Sequence, residues 1–150
     1  MPRPRLPSRF ATVLLTVRAL ATVLSALVIV FLLYMTIIFG KTFAWAYTAA
    51  AFAICLDTAE AATLVDKERN VPRLHWAVVL ALELLVLGLH VGGCLTLAFA
   101  ELAAAQSGEY DGFYSADPYR IYALATQGSV GGVHFILLIL GCVEQVRVWR

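Results

Sequence analysis

The sequence predicts an all-α protein, a four-helix bundle running up-down-up-down through a membrane, on three observations. Of its 150 residues, 61% are hydrophobic and 14% charged, with a mean hydropathy of +0.83; an ordinary soluble domain carries roughly a quarter charged residues. From Ala19 to Phe39 the chain runs 21 residues without a charge, and a helix rising about 1.5 Å per residue crosses a hydrocarbon layer of roughly 30 Å in that length. The polar residues gather in interruptions that divide the apolar sequence into four lengths. One domain follows, an integral membrane bundle with spans at about 10–39, 43–65, 75–100 and 121–143.

The opening MPRPRLPSRF places Arg3, Arg5 and Arg9 among three prolines and reads as a basic tail over 1–8, with Ser8 as a helix N-cap. A cleaved signal peptide has an apolar core of only about 7–15 residues. The run here is far longer, so the first helix is expected to stay as an anchor. Gly40 and Lys41 allow a tight turn, after which Trp45 and Tyr47 stand where amphipathic rings favour the interface. The second span is alanine-rich and carries Asp57 and Glu60. Each acid costs up to about 2.5–3.5 kcal/mol at a bilayer centre, so this span is expected to insert together with the first.

The segment DKERNVPRLH is read as a turn, with Pro72 ending one helix and helping to start the next. The third span contains Glu83, Gly88, His90 and Gly92; the polar, acidic and aromatic stretch 101–120 is read as an outer loop; EQVRVWR closes the chain as an amphipathic tail. Lysine and arginine counts orient the bundle. Nine basic residues (Arg3, Arg5, Arg9, Arg18, Lys67, Arg69, Arg73, Arg147 and Arg150) fall on one side against Lys41 and Arg120 on the other, which puts both termini in the cytoplasm.

No catalytic motif stands out. The net charge of +1, with basic residues scattered at helix ends, argues against nucleic-acid binding. Cys55, Cys94 and Cys142 lack ligand or disulfide spacing, and no cofactor is indicated. What the spans do carry is ionisable residues at one depth. Measured from the cytoplasmic edge at about 1.5 Å per residue, Arg18 and Glu83 lie roughly 10 Å in, Glu60 about 9 Å, Asp57 about 13 Å and His134 about 14 Å. Such groups face the protein interior or a water-filled cavity. One reading has Arg18 neutralise the acids so that the layer fixes helix register; another has the layer line a proton or cation path. A metal site from Asp57, Glu60, Glu83 and His134 lacks the Glu-x-x-His pattern of carboxylate-bridged bundles, so no metal is expected. His90, deeper and alone, reads as a histidine bonded within the bundle.

Two small-residue motifs, Gly88-Leu-His-Val-Gly92 and Gly128-Ser-Val-Gly-Gly132, suit close helix approach. In antiparallel helices Gly88 should meet Gly132, and Gly92 should meet Gly128; a dimer face is the alternative. Ala46, Ala50 and Ala53 give a second small-residue surface. Cys142 stands where a palmitate could attach, or as a buried free thiol. Tyr110, Phe113, Tyr114, Tyr119 and Tyr122 read as an interfacial aromatic belt.

The basic start of helix one (Arg9, Arg18), an acid-bearing helix two ending in Glu60, a polar turn with Pro72 and an early acid in helix three (Glu83) resemble the MARVEL-type tetraspan proteins, in particular small fungal membrane proteins of that shape. Claudins are excluded by a first outer loop of only a few residues, and tetraspanins by a large loop without cysteines. The resemblance implies membrane organisation, apposition or trafficking without catalysis, in a plasma membrane or endomembrane, with lipids, further copies of the chain or other membrane proteins as partners. A small transporter or channel using the acidic layer, and an accessory subunit of a larger membrane complex, are the alternatives.

Overall fold

Each apolar length forms one long helix in a computed structural model, which describes residues 8–40, 42–66, 74–107 and 118–149. The helices are α1 (Arg9–Phe39), α2 (Ala44–Val65), α3 (Trp76–Ser107) and α4 (Pro118–Trp149), and the described residues contain no strand. All four are long and apolar enough to cross a membrane, over Arg9–Ile38, Ala44–Val65, Trp76–Phe99 and Ile121–Val146. α3 and α4 continue as helix beyond these windows, into 101–107 and 118–120, a stretch read above as loop. Polarity ends an apolar span but not a helix, and Glu-Leu-Ala-Ala-Ala-Gln is good helix-forming sequence. The tail 1–7, Lys41, the turn 67–73 with Pro72, and 108–117 with Tyr110, Phe113 and Tyr114 lie outside the described residues, as does the side chain of Tyr119.

Local chemistry sets the helix ends. Ser8 is the N-cap of α1 through its backbone: its carbonyl accepts from the Thr12 N–H at 3.0 Å and from the Thr12 hydroxyl at 3.2 Å. Gly40 closes α1 in the left-handed region at φ 66°, donating its N–H to the Thr36 carbonyl at 3.0 Å; a residue without Cβ takes that conformation freely. The α1–α2 hairpin is joined by a 3.1 Å bond between the Thr36 and Tyr47 hydroxyls. Before α3, His75 accepts the Ala77 N–H on its Nδ1 at 3.3 Å, satisfying one of the donors a helix start leaves open.

The bundle follows a heptad. Buried residues recur at alternating three and four along every helix: Ala11, Leu14, Arg18, Ala21, Ser25, Val28, Leu32 and Met35 on α1; Ala46, Ala50, Ala53, Asp57, Glu60 and Leu64 on α2; Val79, Glu83, Val86, His90 and Leu97 on α3; Ala123, Gln127, Val130, His134, Leu137 and Glu144 on α4. This spacing keeps one seam of each helix facing its neighbours, the geometry of knobs-into-holes packing. α1 packs against α2 and α4, and α3 against the same two. Two apolar clusters fill the interior, one around Val28, Leu32, Ala50, Ala53, Val86 and Val130 and the other around Ala11, Leu14, Leu64 and Leu137. The outward faces are apolar as well, with Ile37 77%, Val23 58% and Phe99 58% exposed. Buried polar residues inside and large aliphatics outside invert the pattern of a protein folded in water.

Candidate functional site

Between the two apolar clusters each helix contributes one ionisable side chain to a closed group. Arg18 of α1, Asp57 of α2, Glu83 of α3 and His134 of α4 are all at most 2% exposed. The guanidinium of Arg18 donates from Nη1 to Asp57 Oδ1 and from Nη2 to Glu83 Oε1, both at 2.7 Å. On the far side of the carboxylates His134 Nδ1 shares a proton with Glu83 Oε2 at 2.7 Å, while its Nε2 stands 3.6 Å from Asp57 Oδ2. The three contacts at 2.7 Å have the length of strong charge-assisted bonds, while the fourth side, at 3.6 Å, is an approach without a hydrogen bond. The four therefore form a ring in which Arg18 and His134 alternate with two carboxylates.

One seam explains how four distant residues meet. Each lies on the heptad position of its helix that faces the bundle axis, and antiparallel neighbours bring those positions to a common height. Arg18, with five donors in a planar fork, can serve two carboxylates at once. Glu60 is buried one turn from Asp57 at 1% exposure. Asp57, Glu83 and His134 also hold ligand atoms within 4.8 Å of one another, a set suited to a divalent ion. Arg18, however, already occupies one oxygen of each carboxylate and sets a positive charge against the place a metal would take.

A second polar group extends the first. His90 stacks on His134 with ring centroids 5.8 Å apart, and Gln127 lies near it; both are buried, at 1% and 0% exposure. His90 was read above as bonded within the bundle, yet neither of its ring nitrogens has a hydrogen-bond partner among the described residues.

No family model, curated protein or solved structure matches the chain.

The glycines are arranged differently from the expected pairing. A Cβ placed at Gly88, Gly128 or Gly132 would meet nothing within 4 Å, while at Gly92 it would strike the Trp45 indole of α2. Between α3 and α4 the close approaches belong to their neighbours. A Cβ at Gly93 would collide with the Gln127 amide and stand 3.4 Å from the Ala46 Cα, and one at Gly131 would stand 3.4 Å from the His90 Cβ. The heptad is the reason: with Glu83 and His90 facing the axis, Gly93 continues their seam and Gly88 is turned away. Ala46, Ala50 and Ala53 are wholly buried in the core. Cys142 is exposed on α4, with Cys55 also exposed and Cys94 partly so. Sequence reasoning missed Gln127, Ser25 and Glu144, all buried; the signal was the seven-residue step from Gln127 to His134.

Proposed function

We propose that this is a non-enzymatic, multi-pass membrane protein of MARVEL-like type, acting in membrane organisation or trafficking through lateral contact of its helices with lipids or membrane partners. The closed ring supports the reading most. Its ionisable groups are engaged with one another and lie between two apolar clusters, which suits a fastener holding four helices together better than a reaction centre open to substrate. What the bundle offers a neighbour is its apolar exterior, including the unoccupied small-residue face at Gly88. Crosslinking of the full chain in native membranes tests this. Gly88→Leu should reduce self-association or recovery of a membrane partner without lowering thermal stability; unchanged association would refute a role for that face.

A proton or cation path is the second reading. Along α4 the buried polar positions Gln127, His134 and Glu144 cover 17 residues, about 25 Å of helix, and the stacked His90 and His134 lie within that length. In proteoliposomes it requires flux that Glu83→Gln and Asp57→Asn abolish while the chain stays folded. An absence of flux through the wild type would remove it.

A further inference from the structure

The polar interior does not end at the ring. One heptad from it, toward the Gly40 end of the bundle, stands a second layer. Ser25 is seven residues from Arg18, His90 seven from Glu83 and Gln127 seven from His134, each in the direction that antiparallel helices require. Because the ring residues meet at one height, these heptad neighbours share another, about 10 Å away. Ser25 and Gln127 are 0% exposed and His90 1%. The fourth corner, seven residues from Asp57 on α2, is Ala50. The helix that gives the ring a carboxylate thus gives this layer only a methyl group.

The polar atoms of the layer are the unexplained part. Buried polar groups nearly always find partners, yet Ser25 Oγ, both ring nitrogens of His90 and both amide atoms of Gln127 have none among the described residues. Turning the Gln127 amide toward His90 would pair one atom of each and leave the hydroxyl and the other imidazole nitrogen as they are. The open side of the ring has the same need: Asp57 Oδ2 and His134 Nε2 stand 3.6 Å apart, and neither has a hydrogen-bond partner. His134 stacks on His90, which joins the two sets of atoms.

Chemistry narrows what can satisfy them. An uncharged imidazole offers one donor and one acceptor, a primary amide two donors and two lone pairs, and a hydroxyl one donor and two lone pairs. The partner must therefore donate as well as accept. No Asp, Glu, Lys or Arg belongs to the layer, so an ion there would be buried without a counter-charge. The atoms are closed to the exterior, and a single carbon added at Gly93 would collide with the Gln127 amide. The partner is accordingly small. Between polar atoms more than about 3.5 Å apart, as across the open side of the ring, a bridging water is the ordinary link.

We infer that the bundle axis binds water, held by Ser25, His90 and Gln127 in the second layer and by Asp57 Oδ2 and His134 Nε2 at the ring. Water is neutral, small and both donor and acceptor, and a buried water makes about three bonds to groups that would otherwise be unpaired. The inference rests on burial and hydrogen bonding, and stands apart from both roles proposed above. In a proton or cation path this water would supply the link between His90 and His134, whose stacked rings share no hydrogen bond.

The test is hydroxyl-radical footprinting of the full chain in mild-detergent micelles. X-ray pulses split water where it sits, the radicals oxidise adjacent side chains, and mass spectrometry of the peptides locates heavy oxygen taken from labelled water mixed in beforehand. His90 and His134 should be oxidised despite their 1% and 0% exposure. The control is Leu137→Met, a volume-conserving exchange at a position 2% exposed in the apolar cluster with Leu14 and Leu64. Its thioether, an easily oxidised group, should stay unmodified at the same dose. Ser25→Ala combined with Gln127→Leu should remove most of the His90 oxidation, since the water there keeps only one partner, while His134, with its own water at Asp57, is still labelled. Should that double variant not fold, the wild type and Leu137→Met decide. Unmodified His90 and His134, a thioether oxidised as fast as the imidazoles, or undiminished His90 labelling in a folded double variant would overturn the inference. Proteoliposome flux and the crosslinking of Gly88→Leu are read separately and bear on neither result.

Discussion

Replacing Arg18 with methionine removes the one side chain that bonds both carboxylates of the ring while keeping the length and apolar stem of the original. Asp57 and Glu83, at 0% and 1% exposure, then share His134 as their remaining partner in the ring. Two 2.7 Å bonds are lost. A hydrogen bond to a charged group contributes about 1.5–3 kcal/mol, so the pair accounts for roughly 3–6 kcal/mol. Breaking a buried ion pair from one side costs about 3–5 kcal/mol by a separate route. The two ranges overlap near 3–5 kcal/mol, well above the average of about 0.6 kcal/mol for hydrogen bonds between membrane helices. The assay is reversible unfolding in mixed micelles of mild detergent and dodecyl sulfate, followed by tryptophan fluorescence. Arg18→Met should lose most of the stability, and the triple variant Arg18→Met, Asp57→Asn, Glu83→Gln should recover more than half of the loss, since it also removes the two carboxylates that the guanidinium bonds. A single-variant loss below about 1 kcal/mol, or a triple variant no more stable than the single, would show that the ring is not the buried, charged fastener described.

Three further outcomes follow from packing and backbone. Gly93→Val places methyl groups against Gln127 and the Ala46 backbone and should cost about 1–3 kcal/mol in the same unfolding assay, while Gly88→Leu should be neutral there. Ala50→Leu overfills a position that is 0% exposed and should likewise cost about 1–3 kcal/mol; Phe52→Leu, on the outward face, should change the midpoint little. Gly40→Ala forces a side chain into φ 66° and should lower stability by about 1 kcal/mol, without altering the ring as read by thermal stabilities of paired Arg18→Met variants.

Much of this architecture was legible because a helix long and apolar enough to cross a membrane places a coarse requirement on sequence. Twenty-one uncharged residues have few other structures to adopt, and Gly40 marked the first hairpin. That Arg18, Asp57, Glu83 and His134 could meet was legible too, because height along antiparallel helices depends only on residue count and helical rise. What depth does not give is rotation about the helix axis, and there the pairing of Gly88 with Gly132 was misread. A GxxxG spacing announces a small face without saying where it points. The charges do say: once Glu83 must face the axis, the seven-residue step to His90 and the three further to Gly93 fix α3, and Gly88 turns outward. The helical extension of α3 to Ser107 was obscured by equating the end of hydrophobicity with the end of the helix.

The ring also bears on how these helices select one register. In the membrane setting proposed above the hydrophobic effect gives little drive between helices, and association depends on packing and polar contacts. Slide α1 by one heptad, about 10 Å, and its seam still presents small and aliphatic residues much like those displaced: Ala11, Leu14, Ala21 and Val28 interchange at modest cost. Packing alone would discriminate weakly between such alignments. The polar positions do not interchange. The slide would bring Ala11 or Ser25 opposite Asp57 and Glu83 in place of Arg18, leaving two carboxylates in an apolar interior without their guanidinium, at a cost of several kcal/mol. A single arginine thus separates the native register from its neighbours by more than the whole apolar seam does, as a polar residue at a core position does in a coiled coil.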